Sequence, residues 1–187
     1  MLAAGTPQDH LDTALNALES GPGWRAALDR IPVPVYTTDA EGSVTYWNRA
    51  CVDFAGREPI LGSDRWCVTW QLYSTSGEAM PHDQCPMAEA IKLRKEVRGK
   101  IAIALRPDGR RRAFAAYPTP LIGSDGALTG AINMLIDISE QQATELAEQS
   151  SRCRRLARAT TDVAASEILS RMAQNYAETA ETLKVAD

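Results

Sequence analysis

The chain has 187 residues, of which 44% are hydrophobic and 24% are charged, and its formal net charge is −4. These values are typical of one globular domain with additional segments, large enough to bury a hydrophobic core. The mild acidity argues against a general nucleic-acid-binding protein, whose surface is usually basic.

No apolar run approaches the roughly 20 residues of a membrane-spanning helix. The first residues, MLAAGTPQDHLD, lack the basic region and long apolar core of a secretory signal. The cysteines Cys51, Cys67, Cys85 and Cys153 form no C-x-x-C pair, which is typical of reduced thiols. A zinc site needs about four ligands at close spacing, which these cysteines and the two histidines do not offer. We therefore expect a cytoplasmic protein with neither a membrane segment nor a zinc centre.

The N-terminal part of the chain predicts two helices. Leu11, Leu15 and Leu18 recur on one face of residues 8–19, as in an amphipathic helix. Ser-Gly-Pro-Gly interrupts this pattern, and residues 24–31 predict a second, short helix that ends before a proline.

A β-rich block comes next. Residues 35–39 and 43–48 are rich in β-branched and aromatic side chains and predict a hairpin. Residues 49–56 predict a short helix with a glycine as its C-terminal cap. Residues 57–80 show no clear pattern, whereas residues 86–96 predict a helix with a proline in its first turn.

The second half of the chain continues with strands and ends in helices. Residues 100–117 predict a hairpin around an Asp-Gly turn. Residues 118–130 predict a longer connection, and residues 131–138 predict a buried, largely apolar strand.

From Ser139 onward the pattern is helical. Residues 139–159 contain no glycine or proline, and residues 160–162 offer an N-cap for a second helix. The second helix carries apolar residues that we expect on one side: Ile168, Leu169, Met172, Tyr176 and Leu183. Together the two helices predict an αα-hairpin whose narrow apolar stripes must pack on another surface.

Three stretches of residues 24–140 carry a resemblance to a known family. They are VPVYTTDAEGSVTYWNRACVDFAG, WQLYSTSGEAMPHDQCPMAEAI and RPDGRRRAFAAYPTPLIGSDGALTGAINMLIDISE. The first resembles the opening hairpin and helix of PAS domains, with Asp39, Gly42 and Asn48 at matching positions. The last resembles the closing three strands and the "DIS-E" exit into a signalling helix, and the middle is similar to a PAS subgroup common in bacterial sensor proteins.

The resemblance implies an α+β fold, with a curved five-stranded antiparallel sheet and short helices on one face. We therefore expect three parts: an N-terminal amphipathic helix and linker at 1–23, a PAS domain at 24–140, and a C-terminal helical hairpin at 141–187. The fold alone does not identify a ligand, because one fold supports many functions.

His82 is the first candidate site residue, because in haem-binding PAS proteins a histidine on the central helix binds iron. Here His82 lies in the turn before the predicted helix, where Asp83 can accept N–H bonds at the helix start. Cys85 can simply pack. We therefore favour a structural role for His82 over haem or another metal.

Cys67 is the second candidate, since it lies near the position of the reactive cysteine in flavin-binding light sensors of this superfamily. Those sensors continue with Arg-Phe-Leu-Gln, whereas Cys67 is followed by Val-Thr-Trp, and the late strands offer Asn133 but no glutamine. A buried structural cysteine is the favoured interpretation.

Aromatic residues could line a ligand cavity between sheet and helices, although aromatic residues more often form plain core. The aromatic candidates are Tyr36, Trp47, Trp66, Trp70 and Tyr117, and the polar ones are Arg65, Thr69 and Asn133. With the two candidates above, the predicted cofactor-binding set is Trp66, Cys67, Thr69, Trp70, His82 and Asn133, and the identity of the cofactor stays unknown.

Two clusters of arginine have plain explanations. Arg106, Arg110, Arg111 and Arg112 lie on a predicted hairpin, where charges discourage edge-to-edge aggregation. Arg152, Arg154, Arg155 and Arg158 lie on the first C-terminal helix, where we expect ion pairs with Glu145 and Glu148. Nucleic-acid binding is the less favoured interpretation of both clusters.

The sequence contains no phosphate-binding glycine loop and no G-x-S-x-G motif, so we expect no enzymatic activity. The first hypothesis is a sensory module that detects a small ligand, a redox change or a partner and signals in trans through its flanking helices. Asp137, Ser139 and Glu140 form the predicted signalling junction, where the last strand becomes a helix. The alternative is a ligand-free dimerisation scaffold, and under either hypothesis we expect a homodimer.

Overall fold

The computed structural model describes residues 5–184, which form six α-helices and one eight-stranded antiparallel sheet. The helices are α1 (Pro7–Glu19), α2 (Trp24–Leu28), α3 (Arg49–Ala55), α4 (Pro86–Leu93), α5 (Ser139–Ala159) and α6 (Val163–Lys184). The strands are β1 (Val35–Asp39), β2 (Val44–Trp47), β3 (Gln71–Tyr73), β4 (Ala79–Met80), β5 (Lys100–Leu105), β6 (Arg111–Ala116), β7 (Thr119–Ile122) and β8 (Leu128–Asp137).

The order of strands in the sheet is β2-β1-β8-β6-β5-β3-β4, and β7 pairs with the free edge of β8 beside β6. The path β2-β1-β8-β6-β5 contains the strands predicted from the sequence, so the predicted antiparallel α+β fold is confirmed. Three short strands, β3, β4 and β7, extend it.

The prediction that residues 118–130 form only a connection is wrong. Thr119–Ile122 pairs with β8 as β7, and the chain returns through a turn in which Gly126 N–H donates to Gly123 O. Pro118 separates β6 from β7, because a proline has no N–H for the ladder. Strands β6 and β7 therefore both pair with the same edge of β8.

The inner face of the sheet packs against α3 and α4. Alternate residues of the strands point to this face, including Ala102, Ala104, Phe114, Ala116, Ala131 and Leu135. Phe54 of α3 meets Phe114 edge to face, with the ring centroids 5.7 Å apart. Met87 and Ile91 of α4 complete this buried layer.

The outer face of the sheet is covered by the terminal helices. Leu11 and Ala14 of α1 and Leu28 of α2 pack against Ile132 and Met134 of β8. The α5–α6 hairpin folds back onto β5 and β6. There, Leu146 of α5 and Leu183 of α6 are buried against Ile103 of β5 and Ala113 of β6.

The apolar stripes of the hairpin differ from those expected. Along α6 the buried residues are Ala173, Ala180 and Leu183, whereas Ile168 and Met172 are 49% and 39% exposed. Small residues let two antiparallel helices approach closely, and Ser150 Oγ donates to Ala173 O across this contact at 2.7 Å. The distal half of the hairpin therefore presents its larger apolar side chains to solvent.

Asn48 joins three segments of the chain. Its buried Oδ1 accepts hydrogen bonds from Val35 N at 3.0 Å and from Cys51 N at 3.2 Å, so it caps α3 and holds the start of β1. Its Nδ2 donates to the carbonyl oxygens of Leu28, Ile31 and Val33. One amide thus completes the hydrogen bonding of backbone groups in three segments, of which Cys51 N and Leu28 O also have a backbone partner.

We predict that Asn48→Ala lowers the free energy of unfolding by about 2–4 kcal/mol, because it removes a helix cap and leaves several buried backbone groups unpaired. Urea denaturation of the full chain measures this loss. The control is Arg49→Ala, which breaks only an exposed pair with Asp53 and should cost roughly 0.5 kcal/mol or less. Equal losses in the two variants would contradict the assigned role.

Candidate functional site

A polar network lies in the interior between the inner sheet face and the helices. Tyr36 of β1 and Asn133 of β8 are opposite each other in the ladder and are 0% and 2% exposed. Asn133 Nδ2 donates to Tyr36 Oη at 3.0 Å, and Tyr36 Oη donates to Trp66 O at 2.9 Å. Asn133 Oδ1 accepts from Tyr117 N at 3.1 Å. The network thus links two central strands to the segment that precedes β3.

Three buried thiols surround this network. Cys67 Sγ lies 3.2 Å from Thr69 Oγ1, and Cys85 Sγ donates to Trp66 O at 3.7 Å. Burial raises the pKa of Cys67, raises that of Cys51, and raises that of Cys85 to about 12. All three thiols are therefore protonated near neutral pH, and a protonated thiol is a poor nucleophile and a poor metal ligand.

Trp66 closes the network on the side of the β1–β2 turn. Its φ is 68°, a left-handed conformation that a bulky side chain adopts only at a cost of about 1–3 kcal/mol. Trp66 N donates to Gly42 O at 2.7 Å, and the indole lies so close to Gly42 that a Cβ there would be 2.2 Å from the ring. Gly42, with φ 86°, is thus required both by the turn and by the indole.

His82 lies apart from this network. It begins a single 3₁₀ turn before α4, and its Nε2 is buried with no hydrogen-bond partner in the described part of the chain. Its surroundings include Asp64 and Arg57, which form an ion pair at 2.6 Å. Burial is the largest influence and lowers the pKa of His82, so the ring is neutral near pH 7.

The start of α4 differs from the sequence-based expectation for Asp83. The N-cap of α4 is Cys85, without a side-chain hydrogen bond to the helix. Asp83 lies within the preceding 3₁₀ turn, where its carbonyl oxygen accepts from Lys92 Nζ. The prediction that Asp83 accepts N–H bonds at the start of α4 is therefore wrong, because the 3₁₀ turn separates it from the helix.

The structure brings four of the six predicted cofactor-binding residues together. Trp66, Cys67, Thr69 and Asn133 all lie in or beside the interior network. The His82 ring lies next to the backbone of Thr69. Trp70 directly precedes β3 and is 46% exposed. It belongs to none of the buried clusters in the described part of the chain.

The sequence-based set missed Tyr36 as a polar member of the network. Tyr36 was grouped only with the aromatic residues of the core, although its hydroxyl connects Asn133 to Trp66. A buried tyrosine hydroxyl usually finds a hydrogen-bond partner, but the identity of that partner depends on the pairing of β1 with β8, which the sequence pattern does not specify.

The predicted signalling junction forms a hydrogen-bonded corner. Asp137 Oδ1 accepts from Ser139 N at 2.9 Å and from Ser139 Oγ at 2.6 Å, and Ser139 Oγ accepts from Ala113 N at 3.0 Å. Asp137 Oδ2 accepts from Arg112 Nη1 at 2.9 Å. Glu140 is exposed in the first turn of α5, where a negative charge suits the helix dipole.

The arginines around the β5–β6 turn are held by the fold. Arg106 Nη1 donates to Asp53 O at 3.1 Å, and Arg111 lies 4.9 Å from the centre of the Tyr73 ring. Together with the pairing of Arg112, these contacts favour a structural role for the cluster over a nucleic-acid interface.

The residues of the network do not fit a flavin or a haem. The Asn133 amide already uses Oδ1 and Nδ2 within the protein, and Cys67 is bonded to Thr69. His82 lies in a 3₁₀ turn rather than on α4, beside the Arg57–Asp64 ion pair. Among residues 5–184, no group of three or more histidine, cysteine, aspartate or glutamate residues is placed to hold a metal ion.

The described helices also include none that is long and apolar enough to cross a membrane. This observation applies to α5 and α6 as well, whose lengths of 21 and 22 residues would be sufficient but whose sequences are rich in charge.

Solved structures of LOV proteins are among those similar to this chain. The LOV protein of Rhodobacter sphaeroides is 16% identical, with a TM-score of 0.50, and the match covers 96% of this chain and 98% of that one. A LOV domain of a blue-light-activated histidine kinase from Erythrobacter litoralis is 18% identical, covering 58% and 98% of the two chains, with a TM-score of 0.43. An RNA-binding light-oxygen-voltage receptor is 17% identical, covering 81% and 41%, with a TM-score of 0.48.

At these identities the likeness shows the fold alone. The match to the Rhodobacter protein extends over nearly the whole chain. No curated protein matched the sequence. The family model described as "PAS fold" matches residues 28–143, which include every strand and the corner at Asp137. The chain therefore belongs to the PAS fold family.

Proposed function

We propose that this protein is a sensory signal-transduction module of the cytoplasm, without catalytic activity. The PAS core at residues 24–140 detects an input, and the hairpin at residues 141–187 transmits it in trans to a partner protein. The N-terminal segment at residues 1–23 contributes the second flanking helix. Of the possible inputs, a small ligand or a protein partner agrees better with the protonated thiols than redox chemistry at a thiolate does.

One observation carries this proposal: β8 connects the interior network to the hairpin. Asn133 lies in the middle of β8 with its side chain in the network, and Asp137 ends the same strand in the corner with Ser139. The helix α5 begins at Ser139 itself, two residues after Asp137. A change in the pairing of Asn133 therefore reaches α5 through four residues of one strand.

The strain at Trp66 supports an input at this network. A left-handed tryptophan persists only where neighbouring contacts hold it, and such residues cluster at switches and ligand sites. Its carbonyl oxygen accepts from both Tyr36 and Cys85. A ligand that displaces the Tyr36 hydroxyl releases this strain. Such a ligand binds the relaxed state more tightly than the strained state, and it therefore shifts the population toward the relaxed state.

The alternative function, a ligand-free dimerisation scaffold, is favoured by the surface of the hairpin. Leu156, Ile168 and Met172 are 48%, 49% and 39% exposed on its distal half. Apolar side chains grouped on one helix pair are typical of an interface. We propose that this surface pairs with a second copy of the chain, which is compatible with either function.

The coupling can be tested with Tyr36→Phe, which removes the hydroxyl between Asn133 and Trp66. We predict that hydrogen exchange in residues 137–147 accelerates roughly fivefold or more, because a buried donor loses its partner and the strand end loosens. The control is Tyr46→Phe, which removes a hydroxyl bonded to Asp29 in the outer layer of the same sheet. Exchange at residues 137–147 that is unchanged in Tyr36→Phe, or equally fast in both variants, would contradict the coupling.

The cofactor question has a direct spectroscopic test. We predict that freshly purified protein shows only the aromatic absorption band, before and after reduction, because Asn133 and Cys67 are hydrogen-bonded within the protein and His82 lies in a 3₁₀ turn rather than on α4. A flavin band would overturn the interpretation of Cys67, and a Soret band would overturn that of His82.

The dimer is tested in the full chain by size-exclusion chromatography with light scattering. We predict a dimer for the wild type and a shift to monomer for Ile168→Glu with Met172→Glu, because buried charges at an apolar interface cost several kcal/mol. The matched control is Ser170→Glu with Gln174→Glu, which has the same charge and spacing on another face of α6. A monomeric wild type, or a control that dissociates equally, would refute the proposed surface.

A further inference from the structure

A polar groove runs between α5 and α6 on the distal half of the hairpin, outside the PAS core. Its volume is about 410 Å³, and its lining residues are Arg154, Ala157, Arg158, Ser166, Ser170 and Gln174. Positions 154 and 158 are one turn apart on α5, and positions 166, 170 and 174 are successive turns of α6. Two guanidinium groups on one helix therefore face three polar side chains on the other.

Among the described side chains, the arginines of this groove have no anionic partner. Within residues 5–183, the ion pairs involve Arg49, Arg57, Arg98, Lys100, Arg106 and Arg112, not the arginines of α5. The expected pairing with Glu145 and Glu148 is thus not formed, and Glu145 instead accepts from Gln149 at 3.5 Å. Arg154 and Arg158 lie beyond the i,i+4 reach of Glu145 and Glu148. Arg152 lies four residues after Glu148, but the ion pairs within residues 5–183 do not include these two side chains.

This arrangement is unfavourable for an isolated helix. Four arginines occupy positions 152–158 with no acidic residue among them, in a chain whose formal net charge is −4. Like charges at i and i+4, as at Arg154 and Arg158, destabilise a helix. A bound anion would remove this repulsion, and a guanidinium fork matches the oxygens of a phosphate group geometrically.

The opposite wall of the groove is preorganised by its own hydrogen bonds. Ser166 Oγ donates to Ala157 O at 3.0 Å and so ties α6 to α5 at the floor of the groove. Ser170 has no hydrogen bond from its hydroxyl in the described structure, whereas Gln174 Nε2 donates to Glu178 Oε1 at 2.9 Å and leaves the amide oxygen of Gln174 available to a ligand. The nearest acidic residue of the loop, Asp162, is not in the lining, and its carboxylate accepts from Ala165 N as the cap of α6.

We propose that this groove binds a small phosphorylated molecule. Arg154 and Arg158 hold the dianionic phosphate, and Ser170 and Gln174 contact the attached organic group. The volume suits this ligand class, since small-molecule sites are commonly about 300–1,000 Å³, which exceeds what a bare phosphate ion fills. Because the ligand contacts both helices, it stabilises the packing of α6 against α5. This second input is independent of the proposed sensing in the core.

The test uses calorimetry and amide chemical-shift mapping on the full chain, with AMP and inorganic pyrophosphate as probes and adenosine as the uncharged control. We expect AMP and pyrophosphate to bind with shifts confined to the groove, and adenosine not to bind. Arg154→Gln with Arg158→Gln should weaken AMP binding about tenfold or more, because charge-assisted hydrogen bonds to phosphate are lost.

The matched control is Arg152→Gln with Arg155→Gln, which changes the net charge equally on the same helix but leaves the groove intact. We expect this variant to bind AMP within about twofold of the wild type, because screened surface charges contribute little to a specific site. An equal loss in both double variants would show binding to net charge alone and overturn the proposal. Absence of heat and shifts with both probes at millimolar concentration would also overturn it. Binding of pyrophosphate but not of AMP would refute the assignment of the organic contacts.

Discussion

The amide of Asn48 is the interaction on which the rest of the structure depends. It caps α3, holds the first residue of β1 and donates its two N–H groups to carbonyl oxygens of the Leu28–Val33 segment. A buried amide can make all of these bonds only if helix, strand and incoming chain meet at one point. The inner and outer layers of the protein are therefore connected at the start of β1.

From that point the alternation of side chains along the strands divides the molecule into layers. Successive residues of β5 and β6 contribute alternately to the inner core, with α3 and α4, and to the outer core, with α5 and α6. Strand β8 takes part in both layers: Leu135 packs inward, and Ile132 packs against α1. A displacement of β8 therefore affects the interior network and the terminal helices together, which is the physical basis of the proposed signalling.

Stability and responsiveness are distributed unequally in this structure. The corner of Asp137, Ser139 and Arg112 is extensively bonded and anchors the start of α5. By contrast, Trp66 is strained, and the distal hairpin leaves both large apolar and unpaired cationic side chains in solvent. Regions that deviate from local rules in this way are where functional sites are expected. The strained segment lies in the core for which sensing is proposed, and the distal hairpin contains the proposed dimer surface and the proposed phosphate site.

The sequence by itself determined the antiparallel sheet, most of the helices and the corner at Asp137, because hydrophobic periodicity, Asp-Gly and glycine turns, and capping residues act over a few neighbouring positions. It suggested Cys67, Thr69 and Asn133 as candidate site residues, but their burial in and beside one network is a finding of the structure. It did not reveal β7, the strain at Trp66 or the bond from Tyr36 to Asn133, residues 97 positions apart. Nor did it reveal which side of α6 is buried, since Ala173 and Ala180 are chosen over Ile168 and Met172 by the close approach of two helices. Those features depend on contacts between distant segments, and only the tertiary structure decides them.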